Sequence, residues 1–318
     1  MSLKYLQNHQ IDKSRWDDCV ANSVNGIIYA YTWYLDMVCD DWDAIVDGDY
    51  ERIFPLPFKK KFGVHLVFQP FFTQQLGVIS KQILTAEIVT SFLKAIPSKF
   101  RHVEINLNSL NKVNELKFNV IPQLNHELDL INSYINISKK FSENLKRKLK
   151  KTATSGLFIN PSTKPDEIIK LFTLNRGKDF PHLRESDFIR LRRLVYAAIH
   201  RGGAQIYGVY TRSNILCAGG IFVEANRKLV FLFSGADAEA KKMNAMAFML
   251  DYVIKRNSGK HLTLDFEGSN NVGLARFYKS FGPDETRYFK VTINRLNVFC
   301  KIGMMLWRNY RNTLLTLF

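Results

Sequence analysis

The chain has 318 residues, of which 46% are hydrophobic and 13% aromatic, so it can bury the cores of roughly two domains. This composition excludes a disordered chain, and no apolar run reaches the roughly 20 residues that a membrane-spanning helix needs. Lys and Arg exceed Asp and Glu by 45 to 29, a formal net charge of +16, which is typical of a protein with polyanionic partners; a generally basic protein without such a partner is the alternative.

Cysteine and histidine usage indicates the compartment and limits the chemistry. Cys19, Cys39, Cys217 and Cys300 are far apart and form no CxxC pair, which is typical of a reducing compartment. Residues 1–16 contain no apolar signal segment, so we expect a cytoplasmic protein. The histidines form no HExxH or HxH motif, and we expect no metal site.

The first half of the chain has the pattern of three strands joined by turns, followed by a helix and a further strand. Apolar and alternating residues predict strands at 42–46, 52–58 and 64–68. An amphipathic run then predicts a helix at 83–96, and the next alternating run predicts a strand at 102–107.

A basic segment at 138–152 separates the two halves. Phe141, Leu145 and Leu149 recur at i, i+4 and i+8, which predicts a helix docked by one narrow apolar stripe. Its other faces are basic, and they form either a solvated linker or a contact surface for a phosphate backbone. The predicted polyanion-binding cluster consists of Lys146, Arg147, Lys148, Lys150 and Lys151.

The second half repeats the order of the first, after a predicted helix at 186–201. Its predicted elements are strands at 205–210, 215–223 and 228–233, a helix at 239–255 and a strand at 261–266. The strands at 102–107 and 261–266 stand at matching places, about 160 residues apart. Hairpins followed by a crossover helix predict a mixed sheet, so the predicted fold class is α/β (α+β) with a duplicated unit.

Four segments follow from these patterns. They are an N-terminal unit at 1–137, the basic linker helix at 138–155, a second unit at 156–297 and a C-terminal helix at 298–318. The last segment is very apolar but is interrupted by basic residues. We expect a helix that packs its apolar side on the second unit, with an interfacial membrane helix as the alternative.

The predicted strand at 261–266 ends in a polar turn, EGSNN at 267–271, and a short amphipathic helix follows. In open α/β sheets, ligands bind at the carboxyl ends of strands. This location makes Ser269, Asn270 and Asn271 candidate substrate-binding residues. The competing interpretation is an ordinary capped helix start that follows a solvated glutamate.

The order Asn271-x6-Tyr278-x3-Gly282 after a strand and a loop resembles the last conserved motif of GNAT-type N-acyltransferases. Segment 273–281, GLARFYKSF, resembles the Gly-Val-x-x-Phe-Lys-x-x-x-Phe pattern of the FemABX group, the peptidoglycan-bridge aminoacyltransferases. That group also has tandem units and a basic inter-domain segment. The resemblance covers about residues 15–295. It implies two tandem GNAT-like domains, each a mixed sheet flanked by helices, and transfer of an aminoacyl or acyl group to an amine acceptor.

The expected donor site departs from the GNAT pattern. GNAT enzymes hold the CoA pyrophosphate on a glycine-containing turn at a helix start. Residues 235–242, GADAEAKK, lack those glycines and place two acids there, so ordinary acetyl-CoA binding is not expected. No cofactor is firmly predicted. The resemblance leaves an aminoacyl-tRNA or an acyl-CoA as the donor, and the basic charge suits a tRNA.

The resemblance also suggests catalytic roles. Tyr278 stands where GNAT enzymes use a Tyr as general acid and where the FemABX group usually has a Lys, and Glu267 is the candidate base. Lys279 is a candidate to neutralise an acceptor carboxylate or phosphate. The competing interpretations are a core aromatic ring, a surface carboxylate and a solvated lysine. The implied acceptor is a small amine or a peptidoglycan-precursor-like molecule, although Tyr278 in place of Lys puts a nucleotide-linked precursor in doubt.

A second class of function stays open, a non-catalytic double-GNAT scaffold that binds RNA, a membrane surface or a protein partner. An enzyme needs an open cleft beside Gly268 with a poised ionisable group, whereas a scaffold would fill that space with Phe and Met side chains. Peripheral membrane contact is a further prediction from the basic charge and the apolar C-terminal segment.

Overall fold

The computed structural model describes residues 2–61, 63–114, 118–180, 182–268 and 270–296. The strands are β1 (Leu3–Leu6), β2 (Asp41–Asp47), β3 (Arg52–Lys61), β4 (Val64–Val67), β5 (Ile79–Ser80), β6 (Phe100–Asn106), β7 (Asn119–Asp129), β8 (Phe158–Asn160), β9 (Ala204–Tyr210), β10 (Leu216–Ala225), β11 (Lys228–Ala236), β12 (Thr263–Asp265) and β13 (Asp284–Asn294). The α-helices are α1 (Lys13–Ala21), α2 (Thr32–Val38), α3 (Ala86–Ala95), α4 (Tyr134–Lys139), α5 (Glu143–Thr152), α6 (Pro165–Asn175), α7 (Glu185–His200), α8 (Ala238–Lys242), α9 (Ala245–Asn257) and α10 (Val272–Lys279).

The described strands form one mixed sheet, in which the strands of the two halves are arranged almost symmetrically about the centre. It runs β1-β2-β3-β4-β6-β13-β7-β12-β11-β10-β9-β8, with β5 paired to β3. Each half supplies a series of antiparallel strands from one outer edge inward. Each series ends in a parallel pair across a crossover helix, β4 with β6 in the first half and β11 with β12 in the second. The sheet therefore has internal pseudo-symmetry, as the repeat in the sequence predicts.

The two halves exchange their last strands at the centre of the sheet. β7 of the first half lies beside β12 of the second, and β13 of the second half lies beside β6 of the first. β7 and β13 also pair with each other, antiparallel, from Asp284 opposite Glu127 to Thr292 opposite Asn119. Each half thus depends on the other for the second neighbour of its crossover strand.

Most of the predicted elements are present, with three differences of detail. The predicted helix at 239–255 is two helices, because Asn244 adopts a left-handed φ of 57° between α8 and α9. The predicted strand at 261–266 is shorter in the structure, where β12 spans Thr263–Asp265. The basic segment at 138–152 is not one helix: it begins with the last two residues of α4 and continues, after a break at 140–142, with α5. The boundaries of the four predicted segments stay a prediction, and the C-terminal helix at 298–318 lies outside the described residues.

Strands of the second half divide their side chains between two hydrophobic cores. Ile221 and Val223 pack into a core shared with the first half and with α6 and α7, whereas Phe222 between them packs into a core with α9. This alternation follows from the two-residue period of a strand. Both faces of β10 are therefore buried, which accounts for its nearly continuous apolar sequence.

The described helices do not include one long and apolar enough to cross a membrane.

We predict that neither half folds alone, because separation at 155/156 removes β13 from β6 and both neighbours from β7. Unpaired strands in the middle of a sheet expose backbone donors and acceptors that water and other chains then satisfy. Fragments 1–155 and 156–318 should each lack a cooperative thermal transition by circular dichroism. Co-expressed, they should elute as a one-to-one complex in size-exclusion chromatography. A monomeric fragment 1–155 that melts cooperatively would contradict this dependence.

Candidate active site

A cleft opens where β11 and β12 stop pairing. The two parallel strands pair only between Lys228–Val230 and Thr263–Asp265. β11 then continues to Ala236, while the chain after β12 turns away at Glu267 and Gly268, whose φ values are 52° and 57°. Left-handed φ is uncommon for a residue other than glycine and is often found at functional sites. The separated strands leave space at their carboxyl ends.

The cleft has a volume of about 950 Å³ and a mostly apolar wall. It lies between the carboxyl half of β11, the starts of α8 and α9, α10, α5 and the connection from α6 to α7. The half-buried apolar side chains in its wall are Phe180, Leu183, Phe233, Met246, Leu274 and Phe277. The exposed cationic side chains at its rim are Lys148, Arg176, Lys241 and Arg276.

Glu267 lines the cleft and is half-buried. Its Oε1 accepts a hydrogen bond from the hydroxyl of Tyr29, a fully buried residue of the first half. Burial raises the pKa of the Glu267 carboxyl to about 8. At neutral pH the carboxyl therefore holds a proton most of the time, and its ionised form is a base matched to slightly alkaline pH.

Tyr278 lines the same cleft from α10 and is 6% exposed. Its ring stacks on Phe266, with ring centroids 4.9 Å apart and planes inclined by 23°. Burial, and then the nearby charge of Glu267, raise the pKa of the Tyr278 phenol well above its ordinary value. The hydroxyl stays protonated at every physiological pH, as a proton donor must. The structure brings Tyr278 and Glu267 together.

A buried polar cluster holds the backbone of Glu267. Asp265 is fully buried, and its Oδ1 accepts hydrogen bonds from the Glu267 N–H at 3.0 Å and from Asn125 Nδ2 at 2.9 Å. Lys228 Nζ lies 2.7 Å from Glu127 Oε1 and 3.7 Å from Asp265 Oδ2. Burial raises the pKa of Asp265, whereas the charges of Asp265 and Glu127 raise that of Lys228 against the opposing effect of its burial. Asp265 holds the turn in place, because moving the Glu267 N–H away would take a partner from a buried carboxyl group, which is costly.

Of the predicted substrate-binding residues, Asn270, Asn271 and Lys279 contact the protein itself and do not line the cleft. Asn271 caps α10 by accepting from Leu274 N–H at 3.1 Å. Asn270 accepts from Leu124 N–H and donates to the Tyr288 hydroxyl. Lys279 pairs with Glu285 at 2.9 Å. Ser269 lies outside the described residues. Their roles in substrate binding stay a prediction.

The residues of the predicted polyanion-binding cluster lie in three different settings on α5. Leu145 is buried and Leu149 half-buried, so α5 docks along the expected stripe. Lys146 pairs with Glu143 at 2.9 Å, and Lys148 lines the cleft. The exposed residues of the outer face are Arg147, Lys150 and Lys151.

The start of α8, where GNAT enzymes would hold a pyrophosphate, carries an anion of its own. Asp237 Oδ1 accepts a hydrogen bond from Ala240 N–H at 2.7 Å and caps the helix. Glu239, one residue into the helix, pairs with Lys242 at 2.6 Å. A phosphate approaching these N–H groups would meet one carboxylate in its place and a second beside it.

The equivalent gap in the first half is filled. β4 and β6 stop pairing at Val67 and Val103, and Leu76 of segment 69–80 forms a parallel bridge with Leu107, just beyond the end of β6. Leu76 N–H donates to Asn106 O at 2.8 Å, and the Gln69 side chain accepts from Asn106 N–H at 3.0 Å. These contacts occupy the position that the cleft has in the second half.

Sequence reasoning missed the residues that reach the site from distant parts of the chain. Tyr29 belongs to a short 3₁₀ turn at Ile28–Ala30, and no local pattern relates it to residue 267, 238 positions later. Arg176, Lys241 and Arg276 converge on the rim from three helices or their ends. In the described part of the chain, no group of three or more His, Cys, Asp or Glu side chains is arranged to hold a metal ion.

Replacing Glu267 with Gln should stabilise the protein increasingly as pH rises from about 4.5 to about 8. The unfolded carboxyl ionises near 4.5, whereas the folded carboxyl keeps its proton up to about 8. In that window the folded state binds the extra proton, so wild-type stability falls as pH rises, and the Gln variant lacks this loss. Thermal unfolding across pH measures the difference. A Tm difference that does not change with pH would contradict the raised pKa.

Replacing Tyr29 with Phe should raise the pKa of Glu267 further, because it removes a hydrogen bond that stabilises the ionised carboxylate. Tyr34→Phe is the matched control, since the Tyr34 hydroxyl donates instead to the carbonyl of Phe72. NMR titration of protein with ¹³C-labelled glutamate, assigned with Glu267→Gln, measures the shift. An unchanged midpoint in the Tyr29 variant, or equal shifts in both variants, would remove Tyr29 from the site.

The chain resembles known proteins in structure, but no match was found by sequence. No protein-family model matches the chain, and no curated protein matches it by sequence. The crystal structure of FemX superposes with a TM-score of 0.65 at 14% identity, over 93% of this chain and 98% of FemX.

Two further solved structures have the same fold. One is the C-terminal domain of a putative lysylphosphatidylglycerol synthetase from Agrobacterium fabrum, with a TM-score of 0.55 at 10% identity over 92% of this chain and 95% of that one. The other is a tandem GNAT protein from the clavulanic acid biosynthesis pathway, with a TM-score of 0.51 at 12% identity over 93% and 99%. The chain therefore has the tandem GNAT fold and is FemABX-like in structure, as the resemblance of its motifs implies.

Proposed function

We propose that the chain is an N-acyltransferase that passes an aminoacyl or acyl group to an amine acceptor in the cleft. One observation carries the proposal. A carboxyl group, Glu267, and a phenol, Tyr278, line the same open cleft at the carboxyl end of a crossover strand. The fold shared with FemX and with a tandem GNAT protein supports this assignment.

The two groups supply the proton transfers that the reaction needs. The ionised Glu267 takes a proton from the acceptor ammonium, and the nitrogen lone pair forms a bond to the acyl carbon. The nitrogen of the tetrahedral intermediate loses its second proton to solvent, and the intermediate collapses by breaking the bond to the leaving oxygen or sulfur while Tyr278 gives that atom a proton. The proton held by Glu267 then restores the phenol through solvent, so that both groups return to their starting states.

The donor is proposed to be an aminoacyl-tRNA, with an acyl-CoA as the alternative. The Asp237 cap at the start of α8 disfavours the usual binding of a CoA pyrophosphate. The exposed Arg147, Lys150 and Lys151 of α5 offer a surface for the phosphates of tRNA, next to the cleft-lining Lys148. The buried thiols of Cys19, Cys39 and Cys217 are consistent with action in the cytoplasm, where charged tRNAs occur.

The acceptor is proposed to be a small amine or a peptidoglycan-precursor-like molecule. Lys279, placed beside Glu285, lies at the far end of α10 from the polar turn. Peripheral contact with an anionic membrane is a further proposal, supported by the same basic outer face of α5. A purely non-catalytic scaffold is less well supported, because the space beside Gly268 is an open cleft with an ionisable group.

Glu267→Gln and Tyr278→Phe should each lower the transfer rate roughly 10²- to 10⁴-fold while substrate binding changes little. For the wild type, log kcat/KM should rise with pH and level off above about 8, the pKa of Glu267. The assay uses butylamine as acceptor, because a primary alkyl amine is an ammonium throughout this pH range and therefore needs the base, with panels of charged tRNAs and acyl-CoAs as donors.

The control for these variants is Tyr196→Phe, which removes an exposed tyrosine hydroxyl bonded to Asp166 outside the cleft and should leave the rate unchanged. Full activity of both cleft variants with an active donor would exclude the proposed chemistry. A pH profile that is flat from 6 to 9 would exclude Glu267 as the base.

A further inference from the structure

The proposed chemistry leaves most of the cleft wall without a role. Proton transfer uses Glu267 and Tyr278, yet half-buried Phe180, Phe233 and Phe277 also face the space. Exposing aromatic and aliphatic surface to water costs about 25 cal/mol per Å², so an apolar wall of this extent is expected to be covered by an apolar ligand. The wall comes from three separate parts of the chain, which indicates a built surface rather than one misfitted side chain.

The cleft is much larger than a small acyl group. At about 950 Å³ it lies at the upper end of the roughly 300–1,000 Å³ typical of small-molecule sites. An acetyl group or a single aminoacyl side chain would leave much of the apolar wall in contact with water. A long unbranched chain would cover it.

The rim carries the opposite chemistry. Lys148, Arg176, Lys241 and Arg276 reach it from α5, the end of α6, α8 and α10. The acidic side chains that line the cleft are Asp237, which caps α8, and Glu267, whose raised pKa keeps it largely neutral at pH 7. Four cations around an apolar space favour an anion at the mouth, bound by side chains rather than by a helix terminus.

We propose that one substrate of the transfer is a single-chain amphiphile, with a long unbranched apolar chain inside the cleft and a phosphate-bearing head on the cationic rim. That the amphiphile is a substrate of the transfer rests on the proposed function. The binding itself follows from the wall and the rim.

Binding of butyl, octyl and dodecyl phosphate, measured by isothermal titration calorimetry below their micelle concentrations, tests the proposal without any turnover. One site per chain is expected, with affinity rising about threefold to fourfold per added methylene until the cleft is filled. Equal affinity for the three probes, or binding at many sites per chain, would overturn it.

Two matched pairs of variants assign the contacts. Lys241→Ser should weaken binding of all three probes roughly tenfold, whereas Lys242→Ser should not, because Lys242 pairs with Glu239 outside the cleft. Leu274→Asn should reduce the gain per methylene, whereas Val272→Asn should not, because Val272 is 75% exposed on the same helix and does not line the cleft. Equal effects within either pair would reject the cleft as the binding site.

The two proposals fail separately. Binding of the alkyl phosphates with unchanged transfer in Glu267→Gln and Tyr278→Phe would retain the amphiphile site and remove the catalytic assignment. Loss of transfer in those variants without chain-length-dependent binding would do the reverse.

Discussion

The early end of pairing between β11 and β12 is the constraint on which the rest of the site depends. Three residue pairs hold the parallel strands together, and beyond Val230 and Asp265 they separate. The gap gives the second half an apolar cleft with a carboxyl group and a phenol at its edge. In the first half the same topology produces the same gap, but segment 69–80 and buried amides fill it. Duplication of the fold has therefore produced one open site and one closed one.

The open site places a costly group where ordinary packing would exclude it. Glu267 combines a left-handed backbone with partial burial, and both raise the free energy of the folded state relative to a relaxed surface carboxyl. Neighbouring groups make this tolerable, because Asp265 holds its backbone N–H and Tyr29 donates to its side chain. This cost falls on the residue to which we assign the base of the proposed transfer, a relation often found between an active site and its scaffold.

Local patterns predicted what depends on nearby residues and missed what depends on distant ones. The polar turn, the Asn271 cap and the apolar stripe of α5 all follow from spacings of a few residues, and the structure contains each of them. The exchange of β7 and β13, and the approach of Tyr29 to Glu267, join residues far apart in the chain, for which no periodicity exists. Of the competing interpretation of the turn, the helix cap is present at Asn271, whereas Glu267 is half-buried and lines a cleft instead of being solvated.

The exchanged strands also delay completion of the sheet until the end of protein synthesis. β6 leaves the ribosome about 190 residues before its partner β13 is complete, since they end at Asn106 and Asn294. At roughly 5–20 residues per second, this interval lasts about 10–40 seconds. During that time the future centre of the sheet is an open edge, able to pair with any other extended chain. β6 carries Arg101 and Glu104, charges unusual for a central strand, and Glu104 meets Lys290 of β13 only at the end. Charges on an open strand edge disfavour pairing with other chains, and one of them, Glu104, pairs with Lys290 once the fold is complete.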